Sequence, residues 1–296
     1  MPFDGMGRPG AQANAPAALR SAGLLAAFPA GVVELADLPV PPPVPSRGGR
    51  SGFLNERALL AMISALRHRV TRAVAAGRFP FVYGADCSVL LATVPAVREV
   101  KGVAGLLFVD GHEDATPMEL SDSGEAANME VALLLGLSGG DRFPADLRDH
   151  MACLDSAAIA MLGQRDEPYR AQLGVATVGD RVWLRTAEQV SADPGRAAQQ
   201  AVERVESHAT HWWLHTDLDV LARSEFSACG APGEPELTGG LTWSQLAEIV
   251  HQALREGGCC GWSMAVYNPD LDPGGRAALR IVDLVADAFR SYGRWI

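Results

Sequence analysis

An α/β fold, with a mostly parallel sheet covered on both faces, is what this sequence predicts. Short apolar runs alternate with segments whose apolar residues recur every three or four positions, the pattern of strands returning through helices. A length of 296 residues suits one large α/β domain and does not require two, so residues 1–296 read as a single domain. Hydrophobic residues make up 48% and charged residues 20%, close to globular usage, which excludes a disordered chain or a coiled coil.

Taken in order, residues 1–14 form an irregular opening rich in Gly, Ala and Pro, and Ala15 to Ala22 suits a short helix with Pro16 in its first turn. Val32 to Leu38 is apolar and β-branched enough for a strand. The prolines of residues 39–49 then forbid helix and sheet interior alike, leaving a loop. Between Asn55 and Ala76, Leu59, Leu60, Ile63, Leu66, Val70 and Val74 keep helical spacing. Strands are expected at Phe79–Gly84, Val103–Asp110, Ala157–Gly163, Arg181–Arg185, Trp212–Asp219 and Cys259–Tyr267. Helices are expected between and after them, at Val89–Val94, Met129–Leu137, Gly195–Glu206, Trp243–Glu256 and Gly275–Ser291.

A net charge of −10 would repel a phosphate backbone, so no nucleic-acid partner is expected. No apolar run reaches the roughly 18 residues that a membrane span needs, and the N-terminus lacks a signal-peptide layout, which implies a cytoplasmic protein with no membrane partner. Five scattered cysteines with no C-x-x-C pair argue against a disulfide framework and a zinc ribbon.

In a parallel sheet, ligands sit beyond the carboxyl ends of the strands, and here those ends are acidic. The run Leu106–Val109 finishes in Asp110-Gly111-His112-Glu113-Asp114, where positions 110, 112 and 114 share a side while the chain stays extended. The run Trp212–Leu214 leads into His215-Thr216-Asp217-Leu218-Asp219, with Asp217 and Asp219 sharing a side. If the two strands are neighbours, four carboxylates and an imidazole converge. Carboxylates so packed cannot all ionise without a positive charge among them, and oxygen-rich ligation with imidazole suits Mn²⁺ better than a structural zinc. Either motif alone also reads as turn-forming and capping acids. The third strand end, Gly84-Ala85-Asp86-Cys87-Ser88, offers a thiol that could be a ligand or a small buried hydrophobe.

These three strand ends, GADCS, DGHED and HTDLD, resemble the G-G-D-H-S, D-A-H-x-D and S-x-D-x-D motifs of the arginase, agmatinase and formiminoglutamase (ureohydrolase) family. The likeness extends to the Pro2-Phe3-Asp4 turn, APAALR from Ala15, SGEAANM from Ser123, GQRD from Gly163, GGLT from Gly239 and YNPDLD from Tyr267. The resemblance implies a three-layer α/β/α sandwich with a mainly parallel sheet of about eight strands. The family's first strand normally precedes the Pro2-Phe3-Asp4 turn; almost nothing precedes it here, so that strand is expected to be shortened or the chain start truncated.

The resemblance also implies two Mn²⁺ ions. Cys87, Asp110, Asp114 and Asp217 would hold one, and Asp110, His112, Asp217 and Asp219 the other, so that Asp110 and Asp217 bridge them and activate a water. Family enzymes use that bridging hydroxide to attack a guanidinium or formimino carbon and expel an amine. A small-molecule substrate and a homotrimer or homohexamer follow from the same likeness. Cys87 stands where the family has histidine, and a thiolate favours Zn²⁺ or Fe²⁺ over Mn²⁺. Ala127 occupies the place of the proton-shuttle histidine, and Val266 that of the glutamate with which arginases anchor the guanidinium.

The first reading is therefore hydrolysis of a linear C–N bond in a small guanidino- or amidino-type compound. Glu125 would be a catalytic candidate, with Glu113 and His215 as alternatives for proton transfer or substrate contact. Glu113, Ser123, Asn128 and Asp166 would be substrate contacts. Glu125 also reads as a helix-start acid favoured by the macrodipole. The alternative readings are a homologue that binds metal without turnover, or one that binds a partner, using Trp243, Trp262 and Trp295.

Overall fold

The computed structural model describes residues 1–138, 140–230, 238–255 and 257–291. Six strands, β1 (Phe81–Tyr83), β2 (Gly105–Val109), β3 (Ile159–Gln164), β4 (Trp183–Thr186), β5 (Trp212–Asp217) and β6 (Cys259–Ala265), form one sheet in the order β1-β6-β5-β2-β3-β4. Every pair in it is parallel. The helices are α1 (Ala15–Ser21), α2 (Glu56–Ala75), α3 (Leu90–Lys101), α4 (Glu130–Leu134), α5 (Ala145–Arg148), α6 (Glu167–Leu173), α7 (Ala187–Ala192), α8 (Pro194–Glu206), α9 (Trp243–Arg255) and α10 (Arg276–Ser291).

Strand residues alternate between two cores. Leu107, Val109, Leu214 and Trp262 pack on one face with α8, α9 and α10. Leu106, Phe108, Met161 and Trp213 pack on the other with α2 and α3. That alternation is why the apolar runs read as continuous: the four inner strands, β2, β3, β5 and β6, are buried on both sides. The expected three layers are present, and from Phe79 onward the expected strands and long helices fall within a few residues of their places.

The sheet has six strands among the described residues, not about eight. Val32–Leu38 joins no ladder; Glu34 and Asp37 instead pair with Arg20, and the Tyr83 hydroxyl donates to Glu34. With its polar side chains engaged in this way, the segment leaves Val33 67% exposed. Residues 1–4 are not in a strand, and the Met1 amino group donates to the Tyr83 carbonyl at 2.8 Å. Three short helices escaped the periodicity, α5 with only four residues among them. None of the residues of α6 is buried, so it carries no apolar stripe, and α7 is six residues long, held by a Thr186–Gln189 capping box. Trp243 and Trp262 are buried, donating to the Glu225 carbonyl and to Thr216 Oγ1 respectively, so core packing accounts for both. Trp295, and Glu256 at the end of the expected helix, lie outside the described residues. No helix among those described is long and apolar enough to cross a membrane.

The chain runs outward from β2 to β3 and β4, then returns to lay β5 on the opposite side of β2. A crevice therefore opens between the carboxyl ends of β2 and β5, the switch point at which ligands bind in open α/β sheets.

Candidate metal centre

Register decides what fills that crevice. Phe108 pairs with His215 and Val109 with Thr216, so the next residues, Asp110 and Asp217, stand side by side. Donor atoms of Asp110, Asp217 and Asp219 lie within 4.8 Å of one another, as do those of Asp110, His112 and Asp114. The third strand end reaches them over the end of β6: Gly84 and Ala85 take positive φ, and the Val266 amide donates to the Ala85 carbonyl. Cys87 Sγ arrives 2.7 Å from Asp217 Oδ2 and 3.7 Å from Asp110 Oδ2. All six residues expected to hold metal are thus in one cluster.

Backbone amides fix the carboxylates. The His112 amide donates to Asp110 Oδ1 at 2.7 Å, the Asp219 amide to Asp217 Oδ1 at 2.7 Å, and the Gly111 amide to Asp219 Oδ1 at 3.1 Å. Gly111 stands where the resembling motif has alanine. A Cβ there would come 2.9 Å from Asp219 Oδ1, so the glycine permits this close approach. His112 Nδ1 lies 3.0 Å from Asp219 Oδ2.

The electrostatics are those of crowded acids. Burial, and then the charge of Asp219, pushes Asp110 up to about 7. Burial followed by Asp219 and Asp110 raises Asp217 well above the usual carboxylate range, and burial followed by Asp217 raises the Cys87 thiol. Burial works against charge on Asp219 and His112 as well. Their mutual attraction overcomes it, lowering the acid and raising the imidazole.

Two further buried groups point to a cation. Glu130, at the start of α4, is 0% exposed; its carboxyl lies against that of Asp114, and no N–H or hydroxyl among the described residues donates to either oxygen. It comes within 4.8 Å of Cys87 and Asp114. The sequence reading missed it because an acid in a helix's first turn ordinarily faces water. His215 is also 0% exposed, stacked on Phe108, and its Nε2 is unpartnered. Each such buried group costs about 1–3 kcal/mol if left unmatched. Carboxylates, a thiol and two imidazoles with orphaned donor atoms make a set that divalent cations fit.

The other expected residues are placed differently. Glu113 is buried away from the cluster, taking an ion pair from Arg170 at 2.9 Å and hydrogen bonds from Thr177 Oγ1 and the Val178 amide. Asp166 accepts from the Glu113 amide and from Arg170, so these three residues brace the loop after β2 to α6 rather than presenting polar groups to the crevice. Ser123 Oγ accepts the Glu125 amide, while Asn128 is half-buried with its backbone paired to Thr116 and Glu125. Glu125 is half-buried and belongs to none of the metal-holding groups; its Oε1 lies toward Gly5, whose amide donates to Asp86.

Tyr169, absent from the sequence reading, is half-buried on α6. Burial, followed by the charge of Asp122, raises its phenol, and His112, Glu125 and Asp114 also act on it. Ala127 and Val266 pack in the same apolar cluster as Cys87.

The model of the arginase family matches residues 1–290 of this chain. An N(omega)-hydroxy-L-arginine amidinohydrolase of Streptomyces lavendulae is 27% identical over 227 residues, 76% of this chain and 74% of that protein. An arginase of Saccharomyces cerevisiae is 27% identical over 212 residues, 68% of this chain, and the match spans 60% of the yeast protein's length. The crystal structure of arginase from Bacillus cereus shares the fold with a TM-score of 0.81 at 21% identity, covering 97% of this chain and 96% of that one.

Proposed function

Since the chain belongs to the arginase family, whose members hydrolyse non-peptide C–N bonds, we propose that it cleaves a linear C–N bond in a small guanidino- or amidino-type molecule at a two-metal centre. The observation that carries this reading is the convergence of Cys87, Asp110, His112, Asp114, Asp217 and Asp219 at the switch point of the sheet. Asp110 and Asp217 would be shared by the two ions, manganese in the family pattern, with zinc or iron(II) favoured beside Cys87. Bound there, such ions lower the pKa of a water and polarise the carbon under attack.

The chain's own residues supply the rest. The side chains of His112 and Asp219 are 31% and 18% exposed, whereas Cys87 and Glu130 are buried, so substrate arrives on the His112 side. Tyr169 and Glu125 flank that approach, the phenol as a hydrogen-bond donor and the carboxylate as acceptor for the departing amine. With apolar Ala127 and Val266 buried in the core cluster that includes Cys87, there is no carboxylate at position 266 to grip a guanidinium, which favours a substrate that is neutral at that end. The same two residues favour the second reading, a metal-binding homologue without turnover. We extend to this chain the family's trimeric or hexameric assembly, and a cytoplasmic location in keeping with five free cysteines.

The test pairs metal analysis with assays for urea and ammonia release over a panel of guanidino, amidino and formimino compounds. Metal with product is the expected result. A metal-loaded, folded protein that releases nothing from any of them would replace hydrolysis with the binding reading.

A further inference from the structure

Resting on the metal-centre reading above, the geometry points to His215 as a metal ligand, its Nε2 completing a Cys87–Asp110–His215 set that selects zinc over manganese. Beside the resembling motifs, the two positions look like an exchange. Cysteine stands at 87 where the family has histidine, and histidine stands at 215 where S-x-D-x-D has serine. An imidazole lost from the end of β1 returns on β5, two residues before Asp217 and on the same side of the strand.

The contacts fit a ligand better than a core histidine. A ring nitrogen of His215 lies within 4.8 Å of Cys87 Sγ and of an Asp110 oxygen. Donors around a tetrahedral zinc are about 3.5 Å apart, so side-chain rotations of about an ångström close the set. Nδ1 is 2.7 Å from Ser263 Oγ, which also accepts Trp213 Nε1–H at 2.8 Å. With Nδ1–H given to the second lone pair of Ser263, Nε2 is left as a bare donor, the arrangement by which outer-shell partners orient metal-bound histidines. Phe108 stacks on the ring at 5.6 Å and 16°, holding its plane. Glu130 falls in a separate group with Cys87 and Asp114. A thiolate and an imidazole on one ion make it a zinc-type site, unlike the oxygen-rich half built on His112, Asp217 and Asp219.

X-ray absorption at the zinc edge tests this on His112→Asn protein carrying one equivalent of zinc, in which His215 is the one imidazole left in the cluster. The expected result is sulfur and imidazole in the same coordination shell, with imidazole lost in His112→Asn/His215→Asn and sulfur lost in His112→Asn/Cys87→Ser. Adventitious zinc on surface histidines would show no sulfur. Zinc bound with sulfur but without imidazole in His112→Asn would overturn the role of His215 and leave the metal centre standing. No zinc taken up by the unsubstituted protein would overturn the metal centre as well. Ser263→Ala removes the ring's partner, and Trp213 Nε1–H loses its acceptor with it; it should weaken zinc binding by about 10- to 100-fold with the fold retained by circular dichroism. An unchanged zinc affinity in that variant, with unchanged competition between zinc and manganese in His215→Asn, would also sink the assignment.

Discussion

The two halves of the acid cluster differ in depth and in chemistry. On one side His112 and Asp219 are partly open to solvent, paired at 3.0 Å, and set by the same backbone turn that carries Asp110. On the other side Cys87, Glu130 and His215 are buried, and His215 Nε2 has no hydrogen-bond partner among the described residues. The open half keeps the residue types of the resembling motifs, whereas in the sealed half Cys87 and His215 stand in place of a histidine and a serine. A site facing substrate is constrained by the reaction, whereas a buried site can change its ligands if charge and geometry still balance.

Removing a residue that belongs to both halves should have the largest effect. Asp217→Asn keeps an oxygen for the Asp219 amide but withdraws the negative charge next to Cys87 and Asp110. Metal content is expected to drop from about two ions per chain to none, with the fold retained by circular dichroism. If the variant held one half's metal at full occupancy, the two halves would not share Asp217.

Metal removal comes next, and its pH dependence exposes the crowding. Without metal, Asp110 titrates near 7, above its unfolded value, so its contribution to stability is present at low pH and lost as pH rises through about 7. Bound metal needs the carboxylates ionised, so its contribution grows over the same interval. The melting-temperature difference with and without metal should therefore widen from pH 6 to pH 8. At 100-fold excess over Kd it corresponds to about 2.7 kcal/mol, roughly 2–4 °C for each kcal/mol. A difference that narrowed with rising pH would contradict the crowded-acid account.

The open half was the legible one. Asp110, His112 and Asp114 follow an apolar run at alternate positions, as do Asp217 and Asp219, and a two-residue period is enough to put them together once β2 and β5 pair. The sealed half depends on packing. Glu130 reads as an ordinary first-turn acid until α4 is pressed against the strand ends, and Tyr169 sits on a helix with no apolar stripe. The reverse error occurred at Val32–Leu38, where β-branched composition suggested a strand but Arg20 held its acids in place of a ladder.

A substitution can also make the sealed half more like the family. Cys87→His exchanges a soft donor for the one the motif normally carries, and should raise manganese affinity relative to zinc by about 10-fold or more in competition. His112→Asn, in the open half, should leave that ratio at the Cys87 side nearly unchanged. Equal shifts from both would mean that the halves do not bind independently chosen metals.

The smallest effect should come from the mouth of the open half. Tyr169→Phe removes a hydroxyl that shares its surroundings with His112, Asp122 and Glu125 while keeping the ring that is half-buried on α6. One hydrogen bond to a bound substrate is worth about 0.5–1.5 kcal/mol, a change of about 2- to 10-fold in KM with kcat and metal content unaltered. A fall in kcat at constant KM would instead bring the phenol into the reaction itself. A fall in metal content would move Tyr169 from the substrate's approach to the support of His112, and with it the boundary between the part of the cluster that meets substrate and the part that holds the ions.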